Sequence, residues 1–182
     1  IRGWPLLPLG ILGLLVILAY TPWLTRNPVL CLFAPGLGFG PLMVMGTVFA
    51  LTGTYSWTAG IASLVPFFLV SDLLLLNQFP DVEADRSIGR KHFPILLGRR
   101  ASSIFYGVFL LLTYVSIIVG VCARYLPPAS LLGLLTLVLA VPAAIGAIRH
   151  AEDTGKLIQP MGLNVIINIL TPLLVAAGLI IG

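Results

Sequence analysis

Long apolar runs fill most of this sequence, and they decide which solvent the chain can fold in. Six runs, bounded by charged or turn-forming residues, cover residues 4–20, 30–51, 57–76, 102–123, 131–148 and 161–181. Most approach the roughly 20 residues that an α-helix needs to cross about 30 Å of hydrocarbon. Only 9% of the residues are charged, whereas soluble domains average about a quarter. We therefore predict an all-α integral membrane protein with about six transmembrane helices, forming one domain over residues 1–182.

The basic residues indicate which side of the membrane each loop faces. Cytoplasmic loops are enriched in Lys and Arg. Eight of the ten basic residues fall in the loops after the first, third and fifth runs, and only Arg2 and Arg124 fall on the other side. This distribution places the loop after the third run in the cytoplasm.

That loop belongs to a segment, residues 73–100, that contains three of the six acidic residues and five of the ten basic ones. Asn77, Asp81 and Asp85 are spaced by four within it. On a continuous helix such positions share one face and lie within about 6 Å of each other. Mg²⁺ takes one or two carboxylates and completes its shell with waters and substrate phosphates. The spacing therefore predicts a metal site at these three residues.

The same segment allows other arrangements. Pro80 would break a helix interior and fits better as the first residue of a new helical turn, in which case Asn77 belongs to the preceding run. Arg86, Arg90 and Lys91 follow the acids, and side chains of this kind bind diphosphate through forked or point-charge donors. A solvated charged loop with local ion pairs explains the same composition without any ligand.

The stretch "NQFPDVEADRSIGRKHFPILLG", residues 77–98, resembles the second aspartate-rich motif of the UbiA family of membrane prenyltransferases. It has the N-x-x-x-D-x-x-x-D-R-x-x-G form typical of the branch that prenylates 1,4-dihydroxy-2-naphthoate for menaquinone. Upstream, "GFGPLMVMGT" and "TGTYS" are similar to the helix that precedes this motif in that branch. The chain departs from the pattern at Gln78-Phe79-Pro80 and at His92-Phe93, where polar or basic residues and Thr-Leu are commoner.

The resemblance implies Mg²⁺-dependent transfer of an isoprenyl chain from a polyprenyl diphosphate to an aromatic acceptor. The site would face the cytoplasm from a lipid bilayer, such as a bacterial inner or plasma membrane, and no nucleic-acid partner is implied. Asn77, Asp81 and Asp85 would hold the metal, the two aspartates as catalytic ligands, and the three bases that follow would bind the diphosphate. 1,4-Dihydroxy-2-naphthoate is the expected acceptor. Related members use 4-hydroxybenzoate, homogentisate, chlorophyllide or glyceryl lipids.

The resemblance also implies a protein longer than these 182 residues. Members of the family have nine helices and a first motif of the N-D-x-x-D-x-x-x-D kind on an earlier helix, and this sequence has neither. It starts at Ile1 and corresponds to roughly the C-terminal two-thirds of such a protein. We expect that N-terminal helices and the first motif belong to a longer parent protein, and that the 182-residue chain alone is inactive.

Polar residues inside the apolar runs are candidates for an acceptor cavity. Asp72 lies in the third run, where an acid is costly; it would bind the acceptor, take up its proton or, equally, form a structural hydrogen bond. Asn164 and Asn168 would line the same cavity or, as we favour, form hydrogen bonds between helices. Gly36 and Gly40 form a GxxxG pattern, which favours close helix packing over a flexible cavity lining.

Five other residues are interpreted without a ligand: Glu83 as a solvated acid, His92 as interfacial, His150 as a loop residue, and Cys31 and Cys122 as buried apolar fillers too far apart for a disulfide.

Three competing functions fit parts of the sequence. A transporter explains an intramembrane acid and helices broken by Gly and Pro, but not charges gathered in one loop. A CDP-alcohol phosphatidyltransferase shares D-x-x-x-D but requires a preceding glycine that is absent here. A non-catalytic prenyltransferase-like chain stays open.

Overall fold

The computed structural model describes residues 4–182, and its regular structure is helical throughout those residues. The α-helices, in chain order, are α1 (Leu7–Tyr20), α2 (Pro28–Leu37), α3 (Met43–Thr52), α4 (Trp57–Asn77), α5 (Val82–Ser87), α6 (Phe93–Leu96), α7 (Arg99–Cys122), α8 (Leu137–Arg149) and α9 (Thr154–Ile181). Three 3₁₀ helices, Trp4–Leu6, Leu24–Arg26 and Pro128–Thr136, and a π-helical turn, Gly38–Leu42, connect or extend them. The prediction of an all-α protein is confirmed.

Five helical segments are long and apolar enough to cross a membrane: Pro28–Thr52, Trp57–Asn77, Arg99–Cys122, Pro128–Arg149 and Thr154–Ile181. The segment Trp4–Tyr20 is apolar but shorter. All six overlap the predicted runs, and the chain is an integral membrane protein. The largest difference is at α9, which begins at Thr154 instead of Met161. Asp153 accounts for the earlier start, because its side chain accepts a hydrogen bond from the Lys156 N–H at 3.3 Å and caps the helix.

The core of the bundle lies where α4, α7, α8 and α9 face each other. α4 packs along α7 and α2, whereas α9 packs along α8 and the 3₁₀ helix Pro128–Thr136. Leu69, Tyr106, Ile117 and Ile167 are among the fully buried side chains of this core. No residue of α1 is fully buried, so this helix lies at the outside of the described bundle. The exposed apolar side chains of the outer faces suit lipid as the surrounding solvent.

Two glycines let α2 and the π-helical turn approach α4 closely. A Cβ atom at Gly36 would collide with the Phe67 carbonyl oxygen and with Ser71 Oγ. A Cβ atom at Gly40 would lie 2.9 Å from the Phe67 Cα. Larger side chains would therefore push the helices apart, and the packing interpretation of the GxxxG pattern is confirmed. The helix is also irregular here, because the π-helical turn Gly38–Leu42 interrupts it.

Candidate functional site

The charged residues of the segment 73–100 follow the end of α4. α4 ends at Asn77, and α5 begins at Val82 after a turn that contains Pro80. Asp81 directly precedes α5, and its carbonyl oxygen accepts a hydrogen bond from the Asp85 N–H at 2.8 Å. Asn77 therefore lies on a different helix from the two aspartates. The prediction of one continuous helical face through all three residues is wrong, because Pro80 cannot donate the hydrogen bond that would continue α4.

Asp85 is the centre of the interactions in this loop. Its side chain is buried, and different partners hold its two oxygens. Arg90 Nη1 donates to Oδ1 at 2.8 Å, and His92 Nε2 lies 2.9 Å from Oδ2. The Arg90 N–H also donates to the Asp85 carbonyl oxygen at 3.1 Å. The residues around Asp85 thus satisfy a buried carboxylate, as buried charges require.

His92 is buried beside Asp85, so its interpretation as an interfacial residue is wrong. Burial lowers the pKa of His92, although the hydrogen bond with Asp85 opposes this shift. A carboxylate oxygen only accepts hydrogen bonds, so the Nε2–H of His92 donates to Asp85 Oδ2. Nδ1 is buried without a hydrogen-bond partner among residues 4–182. The one sequence signal for His92 was its position in the motif, where threonine is commoner.

The three predicted diphosphate-binding bases occupy different surroundings. Arg90 contacts Asp85, as described above. Arg86 is exposed and lies 3.4 Å from Glu83 in a surface ion pair, so Glu83 is solvated as predicted. Lys91 is exposed, while its backbone N–H donates to the Thr25 carbonyl oxygen at 2.9 Å. The structure therefore brings one of the three bases to Asp85 and leaves the other two exposed at the surface of the loop.

Asp81 and Asp85 together fit a divalent cation only in part. Asp81 is exposed and lies one helical turn before the buried Asp85. Within the described chain, no three His, Cys, Asp or Glu side chains are grouped to hold a metal ion. Mg²⁺ needs only one or two carboxylates when waters and phosphate oxygens fill its other positions. The two aspartates thus fit an ion that arrives with phosphates, and they do not form a closed metal cage.

The two cysteines lie in different surroundings. Cys31 is buried as predicted, whereas Cys122 is exposed, so its interpretation as a buried filler is wrong.

Cys31 also takes part in contacts around the loop that were not predicted from the sequence. Gln78 Nε2 donates to Cys31 Sγ at 3.3 Å, and the Tyr20 hydroxyl lies 4.0 Å from the same sulfur. Tyr20 also lines an apolar cleft of about 380 Å³ between α1 and α2. Arg99 Nε donates to the Phe79 carbonyl oxygen at 2.8 Å and so ties α7 to the turn after α4. Such contacts depend on loop geometry and have no simple sequence signal.

The predicted acceptor residues lie inside the bundle. Asp72 and Asn164 are fully buried, and Asn168 is partly buried. Neither Asp72 oxygen has a hydrogen-bond partner among the described side chains and backbone, nor does Asn164 Nδ2 or the Tyr106 hydroxyl. Tyr106 interacts electrostatically with Asp72. It was not predicted from the sequence as a site residue. Asn168 Nδ2 donates to the Asn164 carbonyl oxygen at 3.0 Å, so this bond runs within α9 and not between helices as favoured.

A second group of buried polar side chains is fully hydrogen-bonded. The Thr136 hydroxyl lies 3.0 Å from the Tyr114 hydroxyl and 2.7 Å from the Thr171 hydroxyl. This trio, Tyr114, Thr136 and Thr171, connects α7, the 3₁₀ helix Pro128–Thr136 and α9. It holds three core elements together through polar contacts, and it was not predicted from the sequence.

Comparison with known proteins indicates the family to which the chain belongs. The chain is 26% identical over 156 residues to a 2-carboxy-1,4-naphthoquinone phytyltransferase from Synechocystis sp. (strain ATCC 27184 / PCC 6803 / Kazusa). The match covers 82% of this chain and 48% of that protein, so the chain spans about half the length of the curated relative. No solved structure gives a significant match. The model of the UbiA prenyltransferase family matches residues 1–166. The chain therefore belongs to the UbiA prenyltransferase family.

Proposed function

We propose that this chain forms part of a Mg²⁺-dependent enzyme that transfers an isoprenyl chain from a polyprenyl diphosphate to 1,4-dihydroxy-2-naphthoate. The observation that carries the proposal is the position of Asp85. It is buried against Arg90 and His92, one turn after the exposed Asp81, in a loop that continues directly from the membrane helix α4. Acids suited to a cation and a base suited to its anion thus lie at the edge of an apolar bundle.

This position suits an amphiphilic donor. A polyprenyl chain is soluble in hydrocarbon, whereas its diphosphate requires water, cations or hydrogen-bond donors. The charged loop follows α4 without a linker, and the apolar cleft beside Tyr20 lies at the same end of the bundle. The excess of basic residues in this group of loops places that end in the cytoplasm under the positive-inside rule. We therefore propose a cytoplasmic site in a bacterial inner or plasma membrane.

The metal would bind at the acids of the loop. Asp81 and Asp85 would be its carboxylate ligands, with Asn77 nearby at the end of α4. When bound, Mg²⁺ would neutralise charge that develops on the departing diphosphate as the allylic C–O bond breaks. The exposed carboxylate of Asp81 is free to meet an incoming ion, whereas the Asp85 carboxylate is held in place by its neighbours.

The bases would bind the diphosphate itself. The guanidinium of Arg90 is adjacent to the proposed metal ligand Asp85, so it is placed to donate to the same phosphate oxygens. Arg86 and Lys91 are exposed on the same loop and would add positive charge around the leaving group. The diphosphate leaves with the electron pair of the broken C–O bond, and these side chains stabilise its negative charge.

The acceptor would meet the buried polar residues Asp72, Asn164 and Asn168, together with Tyr106. Unpartnered polar atoms are costly inside a membrane protein, and the hydroxyl or carboxyl groups of an aromatic acid would satisfy them. An electron-rich ring carbon of the acceptor would form the new C–C bond with the allylic carbon. The C–H bond of that ring carbon would then break, and its proton would pass to Asp72 or to water. The name of the Synechocystis relative, a naphthoquinone phytyltransferase, supports a bicyclic acceptor.

Transfer assays with alternative acceptors test this function. Membranes that contain the protein in its full length are given a radiolabelled polyprenyl diphosphate, Mg²⁺ and one acceptor at a time. We expect 1,4-dihydroxy-2-naphthoate to be prenylated in preference to 4-hydroxybenzoate and homogentisate. A preference for either monocyclic acid would contradict the acceptor and leave the metal and diphosphate chemistry intact. Failure with every aromatic acceptor would contradict the proposed function.

A further inference from the structure

We propose that His92 is a positioning residue, which holds Asp85 in the orientation that binds the divalent cation with its diphosphate. The proposal rests on the function proposed above, because it assumes that Asp85 contacts the ion. His92 is one of the positions at which this chain departs from the family motif.

The contacts of Asp85 fix the plane of its carboxylate. Oδ2 is held by His92 Nε2 at 2.9 Å, while Oδ1 is held by Arg90 Nη1 at 2.8 Å. The backbone of His92 is itself fixed, since its carbonyl oxygen accepts hydrogen bonds from the N–H groups of Ile95 and Leu96 at 3.0 and 3.2 Å. The imidazole therefore extends from a rigid point at the start of α6. Hydrogen-bonded neighbours of this kind orient the carboxylates that bind metals.

The two partners of Asp85 differ in their freedom to move. The side chain of Arg90 is 37% exposed, whereas that of His92 is 2% exposed. An arriving diphosphate would attract the guanidinium of Arg90, which can turn towards it through water. His92 has no such freedom, so it keeps Oδ2 while Oδ1 becomes available on the solvent side. The cation would then meet a carboxylate that is already oriented.

Loss of the His92 donor would change the contacts of Asp85. An arginine and a carboxylate readily form a forked pair with two parallel hydrogen bonds. Without His92, Arg90 could engage both Asp85 oxygens in this way and compete with the cation. The proposal therefore predicts weaker metal binding when the donor is removed, and it predicts that this loss depends on Arg90.

A matched pair of substitutions separates the donor from the bulk of the side chain. His92→Gln can place its amide N–H near the position of Nε2, whereas the shorter His92→Asn cannot reach Asp85. Both are polar and uncharged. His92→Leu removes the donor with a similar side-chain volume, and the thermal midpoint of each variant reports how well it folds. If His92→Leu fails to fold, the Gln and Asn pair still decides the question.

The experiment measures Mn²⁺ binding by electron paramagnetic resonance, with the full-length protein in detergent and inorganic diphosphate present. We expect His92→Asn to raise the apparent dissociation constant about 10- to 100-fold, and His92→Gln to stay within about threefold of wild type. In an Arg90→Gln background, the same His92→Asn change should raise the apparent dissociation constant for Mn²⁺ by less than about threefold.

Three results would contradict these expectations. If wild type itself binds no Mn²⁺ with diphosphate, the proposed function fails, and the role of His92 fails with it. If wild type binds and His92→Gln is as weak as His92→Asn, or if neither is weakened, only the inference about His92 is overturned. An equal loss from His92→Asn with and without Arg90 would overturn it as well, because the competing forked pair would then play no part.

Discussion

Asp72 and Asp85 are two buried carboxyls on either side of the point where the chain leaves the bundle, and their surroundings are opposite. Both oxygens of Asp85 have partners, whereas neither oxygen of Asp72 has one among the described residues. The partners of Asp85 hold its carboxyl group in one orientation and replace the water that it loses on burial. Asp72 contributes no hydrogen bond that would offset its burial. The hydrogen bonds of Asp85 therefore account for its burial. The contacts among the described residues do not account for an acid at position 72.

The largest expected effect concerns Asp85 and its neighbours in the charged loop. We predict that Asp81→Ala and Asp85→Ala each lower Mg²⁺-dependent transfer by the full-length protein more than about 100-fold, because each removes a proposed ligand of the ion that would stabilise the leaving group. Glu83→Ala is the matched control, since Glu83 is exposed and pairs with Arg86 on another face. Initial rates at saturating donor and acceptor measure the effect.

A loss of activity in Glu83→Ala as large as that in the two aspartate variants would contradict the assignment of ligands. Equal amounts of folded protein in each membrane preparation, judged by thermal unfolding in detergent, separate lost chemistry from lost structure. Asp85→Ala needs this check most, because it leaves the buried His92 without its partner.

The next effect concerns the packing next to Asp72. Gly36→Ala places a methyl group against the Phe67 carbonyl oxygen and the Ser71 hydroxyl, so we expect it to destabilise the protein by about 1–3 kcal/mol through overpacking. Gly38→Ala is the control, because a Cβ atom at Gly38 meets no atom within 4 Å. It should be neutral or stabilising by up to about 1 kcal/mol. Thermal midpoints in detergent that fall equally for both variants would show that α2 does not approach α4 in this way.

A smaller effect sharpens the contrast between unpaired and paired polar groups in the interior. Asp72→Leu should leave stability unchanged or raise it, because it removes a buried acid that lacks a partner. Tyr114→Phe should lower stability by about 1 kcal/mol, because it removes a hydroxyl bonded to Thr136. Chemical or thermal unfolding in the same detergent compares them. Destabilisation by Asp72→Leu as large as that by Tyr114→Phe would indicate that Asp72 has a structural partner.

The smallest effect concerns pH at the start of α9. Hydrogen bonds from Lys156, first from its side chain and then from its backbone, lower the pKa of Asp153. A folded-state pKa below the unfolded value stabilises the protein above the unfolded pKa, and this contribution is lost as pH falls through the folded pKa. Asp153→Asn should therefore be slightly less stable than wild type at pH 7, and the difference should vanish in acid. Thermal midpoints measured between pH 7 and pH 3 test the sign.

The sequence predicted the helices well because lipid imposes a simple rule on each run. A segment with few charges must satisfy its backbone internally, so its length and composition indicate a helix without knowledge of its neighbours. The same rule predicted a charged loop after the third run. The basic residues around that loop predict its cytoplasmic side. The break at Pro80 was visible as an alternative, because proline lacks the donor that a continuing helix needs.

The contacts of the site were harder to predict because they depend on rotations and turns that no local pattern fixes. His92 reaches Asp85 only after the chain has left α5 and turned back at the start of α6. Tyr106 approaches Asp72 because α7 presents that face to α4, a relation set by packing across the whole bundle. Residues of this kind have apolar or unremarkable neighbours in sequence, so spacing alone does not single them out.

Two hydrogen bonds hold the charged loop at its ends. Arg99 binds the Phe79 carbonyl oxygen at one end, and the Lys91 N–H binds the Thr25 carbonyl oxygen at the other. Only the stretch between these two anchors, which contains the exposed surface of α5, is left to change shape when a ligand arrives. Fixing the backbone of one residue costs roughly 1–2 kcal/mol in lost conformational entropy. A loop held at both ends therefore loses less conformational entropy on binding than a loop held at one end.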